Sequence, residues 1–543
     1  MPEFDIISLR LPLIVFGLLI IGCVVSSKIS SRFSMPGLLV FLLIGMGMHL
    51  LLAGTGNADA AGALLSPQVA NAIGTVALGI ILFSGGMDSS FDDIKRVFKT
   101  GTILSTAGVL LTALLVGSFA YLIALGYDRG DLWPQCFLFG SIISSTDASA
   151  VFSILRSKRI SLKGNLKPLL EYESGSNDPM ATFLTLFFLH ICLLHSNGES
   201  VGIGNLLMMI PEFFYKMGLG VAIGVLVGIT VVWLFNHIRL DYDGLYYVLG
   251  LSAIALSYSL ADLCWGSNGF MATYTCGVCM GARKFVFRNT FLRFADALGW
   301  LSQVVLFTML GFMATPALIV RHWWLGLVMA VALMLVARPI ATFICMFKSK
   351  FSFKAKVLVS WVGLRGGAPI MLATFPLLLK GGASPTGSGV DGDWSIYDMI
   401  FNMVFYLVLL SVVLQSFTIM PLAKLLGLDA PLKMTPPAPI SFDQITYLDN
   451  RKLKKSENAP DDLAYNEPAT YVIAEDSDIK DIQIRDLKLP EGVFIVMISR
   501  KGRWLVPRGG TVLKADDSLT VLATPLNHKA AAEFFAKKSH DNL

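Results

Sequence analysis

Charge is what this sequence has least of. Lys, Arg, Asp and Glu together make up 15% of its 543 residues, whereas soluble domains carry about 25%. With 54% of the chain hydrophobic, so little charge excludes a soluble globular fold and implies a polytopic membrane protein surrounded by lipid. A basic stripe is missing too. The net charge is only +5 and the basic residues are scattered between apolar runs, which argues against nucleic acid as a partner. Cysteine is sparse: Cys23, Cys136, Cys192, Cys264, Cys276, Cys279 and Cys345 all lie inside or at the ends of apolar stretches. There a free thiol behaves as a small hydrophobe. Cys276-Gly-Val-Cys279 has C-x-x-C spacing, but no second pair, neighbouring His or thioredoxin-like context, so packing is expected there and not redox or metal chemistry. None of the seven His stands beside the acids discussed below, which leaves a histidine pH sensor unsupported. The N-terminus carries an apolar run but no short hydrophobic core followed by a small-residue cleavage site, and it is read as a retained span.

Apolar runs are what the chain has in plenty. Runs of membrane-crossing length number thirteen, at about 6–26, 36–53, 68–86, 100–125, 134–155, 168–194, 210–236, 244–262, 266–283, 297–316, 322–346, 357–380 and 398–426. Alternate loops between these spans hold 19 basic residues, while the other loops hold only Arg129, Arg321 and Lys380. By the positive-inside rule the N-terminus is expected outside and the C-terminus in the cytoplasm.

Two spans look broken. Span 5 carries Ser144-Ser145-Thr146-Asp147-Ala148-Ser149, and span 12 carries Gly363-Leu364-Arg365-Gly366-Gly367-Ala368-Pro369. Such clusters leave backbone groups unpaired, which hydrocarbon tolerates only where they line a cavity or pack on protein. The breaks lie seven spans apart, an odd offset that matches inverted-topology repeats around a central site. Spans 1–6 and 8–13 are read as the repeats, with span 7 as connector.

After Leu428 the composition changes. Residues 429–469 are rich in Pro and charge and read as a linker. From Thr470 a small α+β domain is expected, with strands at Val493–Arg500, Arg503–Arg508 and Ser518–Thr524, a turn at Lys501-Gly502 and a closing helix at Asn527–Lys538. So short a domain is poor in core, and pairing with a copy of itself is expected.

The informative residues are polar ones inside the apolar runs. Span 6 contains "EYESGSNDPMA", with Glu171, Glu173 and Asp178, although one charge at a bilayer centre costs roughly 3 kcal/mol even on insertion scales. Glu173 and Asn177 are four residues apart, as are Ser174 and Asp178, so the two pairs occupy adjacent parts of one helix face. Pro179 disturbs the helix just beyond. A carboxylate, a hydroxyl and an amide would converge there, a set of oxygen ligands suited to a hard cation. Glu173 is open to two readings, an ion pair with Arg338 of span 11 or Arg365 of span 12, or a cation ligand. Asp178 is left without an arginine, and can hold a proton or a desolvated cation but hardly both. Competition for one acid is what a proton-coupled exchanger needs. Asp147, beside Thr146, reads either as a site residue that ligates the ion or bonds Asn177, or equally as an N-cap for the second half of span 5. Glu171 reads as peripheral and Asp88 as a solvated helix end.

At these residues the sequence resembles the NhaP-type branch of the cation:proton antiporter-1 family. "SSTDASAVFS" in span 5, "ESGSNDPMA" in span 6 and "SWVGLRGGAPI" in span 12 are similar to the family's ion-site, Asn-Asp and Gly-Leu-Arg-Gly signatures. The resemblance implies thirteen helices, a homodimer and a mobile half that carries the ion by an elevator-like movement. It also implies that Asp178 binds cation and proton, with Asn177 as its stabilising neighbour. Thr146, Asp147 and Ser174 would add ligands, so that the cation is expected at Asp178, Ser174 and Thr146. Glu173 would pair with an arginine, Arg338 in "VARPIA" being the first choice, and Arg365 would stabilise the crossed span. The end of the chain, "IRDLKLPEGVFIVMISRKGRWLVPRGGTVLKADDSLTVL", resembles the C-terminal subdomain of RCK (TrkA-C) regulators. That resemblance implies a dimer and a small cytosolic ligand, of nucleotide type, on 470–543. No G-x-G-x-x-G after a strand occurs in the linker, which argues against NAD.

The resulting expectation is an all-α polytopic membrane protein with an α+β cytosolic domain: membrane domain 1–428, linker 429–469 and RCK_C-like domain 470–543. It would exchange K⁺ for H⁺ electroneutrally in a bacterial inner membrane, with no cofactor and no enzymatic activity. Na⁺ is the alternative ion. A ligand-gated cation channel would need a T-V-G-Y-G-like filter, and none occurs. An intramembrane aspartyl protease using Asp147 and Asp178 fits poorly, with Asn177 beside one acid and a Gly-poor flank beside the other.

Overall fold

The clusters of Gly, Pro and small polar residues in spans 5 and 12 decide how the membrane-embedded part is built. The computed structural model describes residues 37–54, 66–89, 91–157, 160–199, 202–378 (apart from 239, 241, 243 and 265) and 396–431. It also describes 469–523 (apart from 474–476, 478, 488, 491–492 and 501–502) and the isolated positions 17, 21, 22, 24 and 534. Nearly all of span 1, Cys23, most of the 429–469 linker, the Lys501-Gly502 turn and the expected closing helix apart from Phe534 lie outside the described residues. The chain divides into two compact units, Met1–Leu432 and Lys433–Leu543.

In the first unit, helices occupy the positions expected for spans 2 to 13. Among the described residues, eight helices are long and apolar enough to cross a membrane: Pro67–Asp88, Ile94–Gly126, Leu166–Ser196, Ile203–His237, Gly244–Leu263, Arg288–Met313, Trp323–Cys345 and Ile396–Leu425. Spans 2 and 9 are the shorter helices Gly37–Gly54 and Gly269–Gly281. Spans 5 and 12 are each in pieces. Span 5 runs as helix Trp133–Ile142, breaks, and resumes as Ala148–Ser157. Span 12 runs as Phe353–Trp361, breaks, and resumes as Gly367–Leu372.

The two breaks supply each other's hydrogen bonds. The Asp147 N–H donates to the Leu364 carbonyl at 2.7 Å. The Arg365 guanidinium donates from Nη1 to the Ser144 carbonyl at 2.6 Å and to that of Ser145. Backbone polar groups freed by unwinding must be paired when buried, and here the two breaks supply part of each other's pairing.

A second feature recurs at the same offset. The helix of span 4 contains a π turn at Leu104–Gly108, and that of span 11 one at Ala332–Ala337. The two helices pack on each other around these turns. Ala332–Ala337 has no compositional signature, and Leu104–Gly108 has only Ser105, Thr106 and Gly108 to mark it, within a span that reads in sequence as an unbroken run.

Close helix packing relies on small residues, as is common in lipid. Helices Gly37–Gly54 and Arg288–Met313 meet at Gly45 and Gly311. A Cβ at Gly45 would strike the Thr308 carbonyl, and one at Gly311 the Leu42 carbonyl.

Two short strands correct the linker boundary. Strand β1 (Ile160–Leu162) pairs antiparallel with β2 (Asp429–Pro431), Ile160 opposite Pro431 and Leu162 opposite Asp429. The ribbon is extended by bonds of 2.9 Å from Lys163, its N–H to the Leu428 carbonyl and its Nζ to that of Gly427. The first three residues read as linker are thus tied to the loop between spans 5 and 6.

The second unit holds β3 (Ala469–Val472), β4 (Val493–Arg500), β5 (Arg503–Leu505) and β6 (Ser518–Ala523) in one antiparallel sheet, order β3-β6-β4-β5. Its core gathers Ile473, Ile479, Leu487, Val493, Ile498, Leu513, Leu519 and Val521. Buried Asp517 accepts from Arg500 at 2.8 and 2.7 Å and from the Lys514 N–H at 2.8 Å. These bonds hold the Arg500 guanidinium above its usual pKa. Two sequence expectations are corrected: β5 ends at Leu505 and not at Arg508, and β3 is a fourth strand. β3 is four residues long beside a polar linker, too short for an alternation to stand out.

The glycine contact gives a test of the packing. Substituting Gly311→Leu forces a side chain into the Leu42 backbone, and overpacking of this kind costs about 1–3 kcal/mol. The melting temperature in detergent should fall by several degrees; an unchanged value would mean that the two helices do not pack this tightly.

Candidate functional site

Span 6 provides the platform. Its helix, Leu166–Ser196, continues through Pro179 and presents Ser174, Asn177 and Asp178 to the break of span 5 and Glu173 to span 11. Glu173 meets Arg338 at 2.5 Å, the two side chains being 1% and 4% exposed. Arg338 begins the helix segment directly after the π turn Ala332–Ala337. A π turn holds more residues than an α turn, so those after it face a direction that an unbroken helix would not give them. Arg365 takes a different place: buried, it points into the carbonyls of the span 5 break, and its own N–H donates to the Ser411 hydroxyl at 3.0 Å. Of the two arginines left open by sequence, Arg338 is therefore the one that Glu173 meets.

The remaining polar groups divide into two layers. In the rear layer, Asn177 is fully buried and donates from Nδ2 to Thr146 Oγ1 at 2.5 Å. Ser174 Oγ donates to the Thr146 carbonyl at 3.1 Å and accepts from the Ala148 N–H at 3.0 Å. Ser174 thus satisfies the first amide of half-helix Ala148–Ser157, a task that the sequence offered to Asp147. In the front layer, Asp147, Ser145 and Asp178 line a cavity of about 250 Å³ together with Ser174. The Ser145 hydroxyl donates to Asp178 Oδ1. Gly366 of span 12 lies against Asp147, where a Cβ would overlap the carboxylate.

The cavity continues along span 6 to Glu171 and Lys167 and reaches Ser161 of β1. Glu171 pairs with Lys167 at 3.5 Å one turn away, at the periphery. Thr146 and Asn177 do not line the cavity. Sequence reasoning passed over Ser145, the side chain that touches Asp178. Its signal was available, since it lies in the same Ser-Ser-Thr-Asp run, but nothing in the run tells which hydroxyl turns forward.

The arrangement offers two carboxylates and two hydroxyls, all oxygen donors suited to an alkali cation and able to hold a proton. Against known proteins, residues 15–425 match the family model described as sodium/hydrogen exchanger, transmembrane, and residues 469–536 the TrkA-C domain. The chain belongs to the sodium/hydrogen exchanger family. It is 33% identical over 515 residues to the K(+)/H(+) antiporter NhaP of Alkalimonas amylolytica, covering 95% of this chain and 81% of that one. It is 32% identical over 518 residues to the K(+)/H(+) antiporter NhaP2 of Shewanella sp. (strain ANA-3), with the same coverage. Among solved structures, the sodium proton antiporter MjNhaP1 of Methanocaldococcus jannaschii is similar with a TM-score of 0.61 and 25% identity. That likeness spans 76% of this chain and 99% of that one.

The buried ion pair generates a prediction. Removing one partner of such a pair strands a charge, at about 3–5 kcal/mol, while replacing both by apolar residues is far milder. Arg338→Met should lower the melting temperature strongly, and Glu173→Leu combined with it should restore much of the loss. A double variant as unstable as the single one would refute a coupled pair.

Proposed function

We propose that this protein is a secondary antiporter exchanging a monovalent cation, K⁺ in the first place, for H⁺ across a bacterial inner membrane. One observation carries the reading. Three acids (Glu173, Asp147, Asp178) and two arginines (Arg338, Arg365) are gathered around the two breaks. With every group ionised, this set carries a single negative charge. One proton or one alkali cation neutralises it, and Asp147 and Asp178, the two acids of this set that line the cavity, are the groups that can receive either. A cluster balanced by one charge supports electroneutral exchange of one cation for one proton.

In this reading Asp178 is the exchanging acid and Asp147 a second ligand, with Ser145 holding Asp178 in place. Asn177, Thr146 and Ser174 keep the break of span 5 against span 6, and Ser174 also reaches the cavity. The relatives named as K(+)/H(+) antiporters support potassium. The Na(+)/H(+) antiporter 1 of Methanocaldococcus jannaschii, 27% identical over 429 residues, supports sodium as the alternative. The recurrence of breaks and π turns seven spans apart supports thirteen spans with inverted repeats, and the basic residues of alternate loops support an outer N-terminus and a cytoplasmic C-terminus. We read the movement as elevator-like, in a homodimer. The terminal domain, 470–543 by our boundaries, is read as regulatory and as the seat of a small cytosolic ligand of nucleotide type. The match of residues 469–536 to the TrkA-C domain supports that role.

In proteoliposomes, adding K⁺ should dissipate an imposed pH gradient, and Asp178→Asn should reduce the rate by about a hundredfold or more while leaving the protein folded. Full exchange by this variant would remove Asp178 from the mechanism. Because proton and cation compete for the same acid, protonation weakens cation binding. The apparent KM for K⁺ should therefore fall as pH rises, and a KM that rises with pH would contradict competition.

A further inference from the structure

Tyr274 is a polar group of the cavity that the exchange reading does not use. It lies mid-way along helix Gly269–Gly281 of span 9, is 4% exposed, and lines the cavity with Asp178 and Ser174. Its hydroxyl has no hydrogen-bond partner among the described residues. Ser89 and Ser176 are the side chains that act on its oxygen, without a well-formed hydrogen bond. Buried hydroxyls almost always have a partner, and the exceptions call for a reason.

The position of the ring is built into the fold. A Cβ at Gly175 would strike the phenol ring and its oxygen, so the side chain lies against span 6 where a glycine leaves room for it. Gly175 precedes Asp178 by three residues, about 4.5 Å along the helix axis. It lies on the side of Glu171 and Lys167, the end of the cavity read as cytoplasmic. The phenol ring therefore lines the cavity beside Gly175, three residues before Asp178, and its oxygen is buried there.

We propose that the Tyr274 hydroxyl is a ligand for the transported cation on the approach to Asp178. A cation passing from water to a carboxylate must exchange its hydration oxygens for protein oxygens. The phenol supplies one, with lone pairs and no charge of its own. A neutral oxygen here raises cation affinity without adding a second site for the proton at working pH. The inference rests on the exchange reading and assigns one more ligand within it.

The test is Tyr274→Phe in the full-length protein, which removes one oxygen and keeps the ring. Exchange of K⁺, Na⁺ and Rb⁺ would be followed in proteoliposomes, and thermal stabilisation by K⁺ in detergent. The KM for K⁺ should rise about five- to tenfold, the loss expected for one polar contact, with kcat within about twofold. The K⁺ concentration giving half-maximal stabilisation should rise by the same factor. If both quantities stay at the parent value, or if kcat alone falls, Tyr274 is a packing residue and the inference is wrong. A parent protein that exchanges no alkali cation would overturn the exchange reading itself, and Tyr274 as a ligand with it.

Discussion

Two unwound stretches of backbone meet within otherwise apolar spans, and each meets part of the hydrogen-bonding needs of the other. Lipid cannot satisfy such groups, so the breaks at 143–147 and 362–366 require a protein partner. The Asp147 amide reaches the Leu364 carbonyl, and Arg365 reaches the carbonyls of Ser144 and Ser145. Everything chemical in the membrane unit follows from that crossing. Without it Ser145 and Asp147 would be residues on an ordinary helix, turned away from each other by its pitch. With it they stand together before Asp178. Arg365 turns its Nη1 to backbone oxygens in this arrangement, and Arg338 is the arginine that Glu173 meets.

Much of this was legible in the sequence, because the signals are local. Gly, Pro and small polar residues in an apolar run mark a break, and the four-residue spacing of Ser174 and Asp178 marks a shared face. The choice between Arg338 and Arg365 was not legible. It depends on the direction in which Arg338 leaves the π turn, and a π turn made of Ala332-Leu-Met-Leu-Val-Ala337 looks like any other apolar helix. The ribbon was hidden for another reason. Ile160–Leu162 and Asp429–Pro431 are three residues each and 269 apart in their middle pair, Ser161 with Ala430, so neither carries a pattern by itself.

The site residues also show where spacing stops being informative. Ser144, Ser145 and Thr146 are consecutive hydroxyls, yet they take three tasks. Ser144 turns back to the Ser141 carbonyl, Ser145 faces Asp178, and Thr146 accepts from Asn177. In a regular helix, successive side chains are about 100° apart and such an assignment could be read from phase. Across a break there is no phase to read, and the tasks are set by which neighbour each hydroxyl meets.

Ser145 also bears on why an exchanging acid should be held by a hydroxyl and not by an arginine. An arginine stabilises only the carboxylate form, through charge and donated hydrogen bonds, and it has no acceptor to offer a protonated acid. Glu173, matched with Arg338, is in that situation and is suited to structure. A serine hydroxyl can donate to the anion and, by rotating, accept from the protonated acid. Under the exchange reading, Asp178 keeps a partner in both states of its cycle, so the proton can come and go without the side chain losing its seat. The single negative charge that remains around the breaks is then available to a proton or a cation in turn, against a framework whose other charges are already committed.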